Sequence, residues 1–240
     1  MGGHMMKIRN WLLTESGVLW TSIILTIIVL MESVLAPWSP YFIIYAILAI
    51  AIPILLGTYT FGSFLGAMRK NWKILLTILF LVVFVDEVVF NRLYQWGLDH
   101  FGVGGNPFYS LNAATVVMIE AIASKFSITP DAAQMLYAFF VIIWAPIGEE
   151  LYYRGYIQGV LRQTKGFGFA AIVSSIFFGI RHATHLFFLW PDVPWVAMAS
   201  WVAGAFVFGL FMNYLYEKTK SLYLPMLVHF LVNIVELFFL

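Results

Sequence analysis

Cysteine is absent from the 240 residues, and charge is scarce: Asp, Glu, Lys and Arg together make up 10% of the chain. Without a thiol there is no disulfide, no thiolate metal site and no cysteine nucleophile. Soluble domains carry about 25% charged residues, so this chain is depleted by more than half. Its 13 basic and 12 acidic residues leave a net charge of +1. No basic stripe runs along it, which argues against nucleic acid as a partner. Internal repeats and low-complexity tracts are also missing, and many small transporters are built from inverted repeats.

What fills the chain is apolar surface: 62% hydrophobic and 18% aromatic residues, with a mean hydropathy of +0.90. Runs near the ~20 residues of a bilayer-spanning helix recur at about 16–36, 41–64, 72–90, 132–148, 167–189, 195–216 and 221–240. A shorter stretch at 110–124, SLNAATVVMIEAIAS, carries Glu120 and leaves the count at seven or eight. The expected fold class is all-α, a polytopic helical membrane protein of seven or eight transmembrane helices. Residues 1–5, MGGHM, read as a cloning remnant with the native start at Met5 or Met6. Residues 6–240 read as a single transmembrane domain. The first apolar run is too long, and too poor in small residues at its end, for a cleaved signal peptide. GVGGNP, between Asn91 and Pro107, is a turn signal.

Short loops rich in Lys and Arg stay cytoplasmic. Lys7 and Arg9, then Arg69, Lys70 and Lys73, then Arg162 and Lys165, then Lys218 and Lys220 occupy alternate connections. The intervening ones, PWSP at 37–40 and WPDVP at 190–194, have none. With seven spans every basic cluster falls on the cytoplasmic side; an eighth at 110–124 would break that parity.

A charge inside a bilayer costs about 2.5–3.5 kcal/mol on insertion scales, so each one is a candidate for function. Within PIGEELYYRGYIQGV, Glu150 and Arg154 stand at i,i+4 in the favourable acid-first order. Glu149 points about 100° away on a helix and has no cation near it in sequence. One carboxylate is thus neutralised and the other left available, unless the pair simply marks a charged helix end. Pro146 and Gly148 just upstream can open the helix. FFGIRHATHL sets Phe178 and His182 at i,i+4, with Arg181 and His185 beside them. PMLVHFLVNIVE stacks His229 and Asn233 one turn apart. Such a pair offers N–H donors for a water or an oxyanion, or an interhelical hydrogen bond; Glu236 nearer the end reads as structural. The acids of VDEVVF, with Glu32 and Glu120, lack histidine companions and read as span-end or packing residues.

EELYYR, FGIRH and HFLVN, in that order, resemble the EExxxR, FxxxH and HxxxN signatures of the CPBP family of CAAX proteases and bacteriocin-processing enzymes. The family is similar to the Rce1-type CAAX prenyl endopeptidases. The motif-bearing region is about 132–240; upstream the likeness is only hydrophobic. The resemblance implies an intramembrane protease in which Glu149 activates the hydrolytic water and His182 helps to hold it. His229 and Asn233 would stabilise the oxyanion, Glu150 and Arg154 would support the site, and Phe178 would pack beneath it. The expected helical fold encloses a polar, water-filled cavity lined by Glu149, His182, His229 and Asn233, open toward the cytoplasm because Glu149 falls at the cytoplasmic end of its expected span. The substrate would be a membrane-associated peptide or protein, with a lipidated CAAX-type chain one option. The expected location is a prokaryotic cell membrane.

HExxH, GxSG and GxGD signatures are absent. Two histidines and a carboxylate can bind zinc with an open position, so Glu149, His182 and His229 form an alternative metal set. Asn233 is a poor zinc ligand and a good oxyanion donor, which favours a reaction without a cofactor. Outside proteolysis, the alternatives are a membrane immunity protein that binds without cleaving, and a small proton-coupled transporter.

Overall fold

The computed structural model describes residues 2–35, 41–101, 111–187 and 194–239. The PWSP connection, the GVGGNP turn and most of WPDVP lie outside the described residues, as do the side chains of Glu32, His185 and Glu236. The described residues are overwhelmingly helical and include no strand. In chain order they form α1 (Gly2–Leu12), α2 (Glu15–Leu35), α3 (Tyr41–Leu56), α4 (Phe64–Val85), α5 (Arg92–Phe101), α6 (Leu111–Phe126), α7 (Pro130–Phe139), α8 (Ala145–Glu149), α9 (Gly159–Phe187), α10 (Trp195–Thr219) and α11 (Tyr223–Phe239). The chain is a helical membrane protein. Three helices among the described residues are long and apolar enough to cross a bilayer, or four if α1 and α2, bent by 84°, count as one span.

Several helices join end to end through π-helical turns, where the backbone bonds i to i+5. Asp86–Asn91 links α4 to α5, Phe140–Trp144 links α7 to α8, and Glu150–Gln158 links α8 to α9. The helix expected to stop at 148 therefore runs on, and Glu149 stands mid-helix instead of at a span end. The continuous helix breaks at Gly166, whose φ of +80° is open to glycine at no steric cost. Helix ends carry ordinary caps. Ser63 accepts from the Gly66 N–H and Thr129, ahead of Pro130, from the Ala132 N–H. Lys220, in the left-handed region, ends α10. The segment 110–124, left open as a span, is α6, which packs chiefly on α7.

Two apolar clusters flank the middle of the bundle. One joins α2 and α3 to Tyr152, Tyr153, Tyr156 and Phe178. The other joins α4, α10 and α11 through Leu75, Ile78, Met212, Leu224 and Val228. Phe208 packs against both. Lipid is as apolar as these side chains, so close packing and hydrogen bonds, more than transfer from water, hold such helices together. The α9–α10 interface shows how close the packing is. A Cβ at Gly179 would lie 2.9 Å from the Val202 carbonyl oxygen, and one at Gly209 3.0 Å from Ser175 Cβ.

Several basic residues of the connections are tied to neighbouring helices. Arg162 pairs with Glu217 at 2.6 Å, Lys220 with Glu217 at 2.7 Å, and Lys165 with Glu15 at 3.1 Å. Arg9 reaches the Leu56 carbonyl at the close of α3 at 3.4 Å. Thr60, from the connection after α3, is hydrogen-bonded through its carbonyl to the Leu222 N–H.

Candidate active site

Pairs of neighbouring acids in an apolar chain survive only where cations and donors meet them. Glu149 is 4% exposed, and Glu150 and Arg154 are 0% exposed. A charged helix end at a membrane surface is therefore excluded. All nine residues of the π-helical turn Glu150–Gln158 are buried.

Glu150 Oε1 is shared. It accepts from Arg154 Nη1 at 3.1 Å, the i,i+4 contact expected from spacing, and from His229 Nδ1 of α11 at 2.9 Å. Arg154 extends a second nitrogen to the Gly209 carbonyl of α10 at 3.3 Å. Its guanidinium carbon lies 4.6 Å from the Phe178 ring centroid. One arginine thus joins the π turn, α9 and α10. Asn213 reinforces the same corner, donating to Gly209 O at 2.7 Å and to Ser175 Oγ at 3.1 Å. Gln158 donates to the Asn213 carbonyl at 3.2 Å.

With the Glu150 carboxylate accepting from Nδ1–H of His229, the other ring nitrogen is free to face the second acid. His229 Nε2 lies 3.8 Å from Glu149 Oε2. The second carboxylate oxygen, Oε1, lies 3.6 Å from Arg181 Nη2 on α9. Here the structure corrects the sequence reading: Glu149, expected to have no cation, has Arg181. Sequence neighbours alone could not supply it, because Arg181 comes from the next helix.

His182, one residue on, directs Nδ1 at the Phe178 carbonyl at 2.8 Å. It lies within electrostatic reach of Glu149 and of His229. Phe178 is the floor between the two imidazoles, with ring centroids 4.4 Å from His182 and 6.0 Å from His229. Asn233 stands one turn beyond His229, and its Nδ2 donates to the Val141 carbonyl at 2.7 Å. Val141 lies in the π-helical turn Phe140–Trp144. The interhelical hydrogen bond weighed for Asn233 is thus present, and it uses one of the two amide hydrogens.

The structure therefore brings Glu149, Glu150, Arg154, Phe178 and His229 into one contiguous cluster, sets His182 beside it, and turns Asn233 toward a neighbouring backbone. Among the described residues, no three His, Cys, Asp or Glu side chains are arranged to hold a metal ion. The zinc set of Glu149, His182 and His229 does not meet that arrangement.

A family model described as type II CAAX prenyl endopeptidase Rce1-like matches residues 131–235. This stretch, a little under half of the chain, is similar to that family. It holds all three motifs and every residue of the cluster just described. A Bacillus subtilis (strain 168) protein named "Putative membrane peptidase YdiL" is 33% identical over 91 residues, 38% of this chain and 32% of that protein. The match thus spans about a third of the curated relative's length. No solved structure matches the chain.

Within the Rce1-like segment, sequence reasoning missed three contributors. Arg181 was visible only as a polar neighbour of His182. Gly209, whose carbonyl holds Arg154, and Asn213, which donates to that same carbonyl, carry no motif at all. The cost of a cation inside an apolar span was the one signal that pointed to Arg181.

Proposed function

We propose that this chain is an intramembrane endopeptidase that hydrolyses a peptide bond of a membrane-associated substrate, with Glu149 as the base that activates water. The observation that carries the reading is the buried Glu149 carboxylate facing His229 Nε2 across 3.8 Å, inside a segment similar to prenyl endopeptidases. In this reading a water is hydrogen-bonded at about 2.8 Å to each of those two atoms. Glu149 takes its proton while the water oxygen bonds to the scissile carbonyl carbon. The carbonyl electrons move to oxygen, and the proton then passes to the leaving amine as the C–N bond breaks.

Neutral His229 accepts from the water through Nε2; protonated, it donates to the oxyanion. His182, whose Nδ1–H donates to the Phe178 carbonyl, offers Nε2 as an acceptor that helps to hold the water, and the second Asn233 amide hydrogen is a further donor for the oxyanion. Glu150 and Arg154 keep the His229 ring in place. The reaction needs no metal in this reading. By the same reading the basic connections face the cytoplasm, following the positive-inside rule, and the substrate reaches Glu149 from that side. A lipid-modified CAAX-type peptide is one substrate class consistent with the family.

The test is peptide cleavage by the detergent-purified protein, wild type beside Glu149→Ala, on farnesylated and unmodified CAAX peptides and a pool of hydrophobic peptides, with and without a zinc chelator. Cleavage that requires Glu149 and survives the chelator is the expected result. Activity lost to the chelator and restored by zinc would replace the mechanism and keep the peptidase. A wild-type chain that cleaves none of them would favour binding-only immunity or transport.

A further inference from the structure

Arg181 is a buried cation in an apolar helix, 3% exposed, and the FxxxH signature does not require it. Its surroundings are specific. Nη2 lies 3.6 Å from Glu149 Oε1, and the guanidinium carbon sits 5.1 Å from the Tyr45 ring centroid. The Tyr45 hydroxyl, on α3, also pairs with Arg181. Tyr45 is itself held by Tyr153, hydroxyl to hydroxyl at 3.0 Å. Both tyrosines are buried. Arg181 therefore rests on an aromatic support contributed by α3 and the π-helical turn, and leans on one oxygen of Glu149.

The other oxygen of that carboxylate is the one facing His229 Nε2. A cation beside Oε1 favours the carboxylate orientation in which Oε2 faces the imidazole. We infer that Arg181 is a positioning residue for the Glu149 base, with Tyr45 and Tyr153 holding the guanidinium at the carboxylate. This rests on the peptidase reading above. Arg181 touches Glu149 rather than substrate, so its removal acts on turnover and leaves substrate binding alone. The contact is a single ion pair and not a two-pronged fork, so an ammonium can take over much of the role.

The experiment has two arms on the full chain in detergent. In the first, thermal unfolding is compared for wild type, Glu149→Gln, Arg181→Gln and the double variant. Removing one partner of a buried pair strands the other charge, so Arg181→Gln lowers Tm and the double variant recovers part of that loss. Losses that simply add would show no coupling and would overturn the inference. In the second arm, cleavage of a hydrophobic reporter peptide that wild type processes is measured for Arg181→Gln, Arg181→Lys and Tyr45→Phe. A misplaced catalytic group costs on the order of 100-fold, so Arg181→Gln loses about that factor in kcat with KM unchanged, Arg181→Lys regains most of it, and Tyr45→Phe falls between. Arg181→Gln that turns over like wild type would overturn the inference and leave the peptidase standing. A wild type that cleaves nothing removes the peptidase and the positioning role with it, while the unfolding arm still reports whether the ion pair exists.

Discussion

Two adjacent pairs of acids sit at the start of π-helical turns in this chain, and they differ in nearly everything beyond that. Asp86 and Glu87 open the turn Asp86–Asn91, where no residue is buried. Glu87 accepts from Asn91 Nδ2, four residues on, at 3.2 Å. Glu149 and Glu150 flank the start of Glu150–Gln158, where every residue is buried, and Glu150 accepts from Arg154, also four residues on. The local geometry is the same: an acid and a donor one turn apart. The second pair differs because α9 and α11 each send a group to it, Arg181 and His229, while the Gly209 carbonyl of α10 holds the Arg154 that pairs with Glu150. A helical neighbour neutralises a carboxylate, and convergence of distant helices gives it chemistry.

The comparison can be broken or sharpened by substitution. Glu149→Gln is expected to lose about 10²–10⁴-fold in peptide cleavage, the worth of a positioned base, and to lower the unfolding temperature by stranding Arg181 while still purifying as a folded protein. If cleavage persists, the fully buried pair is no more catalytic than the partly buried one. Arg154→Ala strands Glu150 and removes the tie to α10, and loss of one buried partner costs about 3–5 kcal/mol. Thermal unfolding and folded yield in detergent would register that loss. Gly179→Ala pushes a methyl group against the Val202 carbonyl and should cost about 1–3 kcal/mol by overpacking. A melt lowered along with reduced cleavage would show that the α9–α10 spacing sets the position of Arg181 and His182. Glu87→Gln should change unfolding by no more than about 0.5 kcal/mol, as surface changes usually do, and leave cleavage untouched. A large loss there would mean that the first acidic pair has a tertiary partner of its own.

The readable parts of the site were the local ones. Glu150–Arg154 and His229–Asn233 followed from one-turn spacing on a helix, and Phe178–His182 likewise. The reading of Glu149 as free of cations failed because it considered only the sequence around it. Asn233 was legible as a donor, yet its bond to Val141 depends on how α11 crosses the π-helical turn Phe140–Trp144, which no spacing on α11 encodes. The helix expected to stop at 148 does not end there, because Pro146 and Gly148 are absorbed between two π-helical turns instead of ending the helix.

Hydropathy, the scarcity of charge and the order of three motifs settled by themselves that the chain is a helical membrane protein whose C-terminal half carries the chemistry-bearing residues. A bilayer tolerates few other patterns, since every backbone polar group must be satisfied within the helix. Tertiary structure alone decided which cation meets Glu149, which carbonyl holds Arg154 and which way the Asn233 amide turns. Those contacts join residues on different helices, and their geometry is set by where glycines and small side chains let the helices approach.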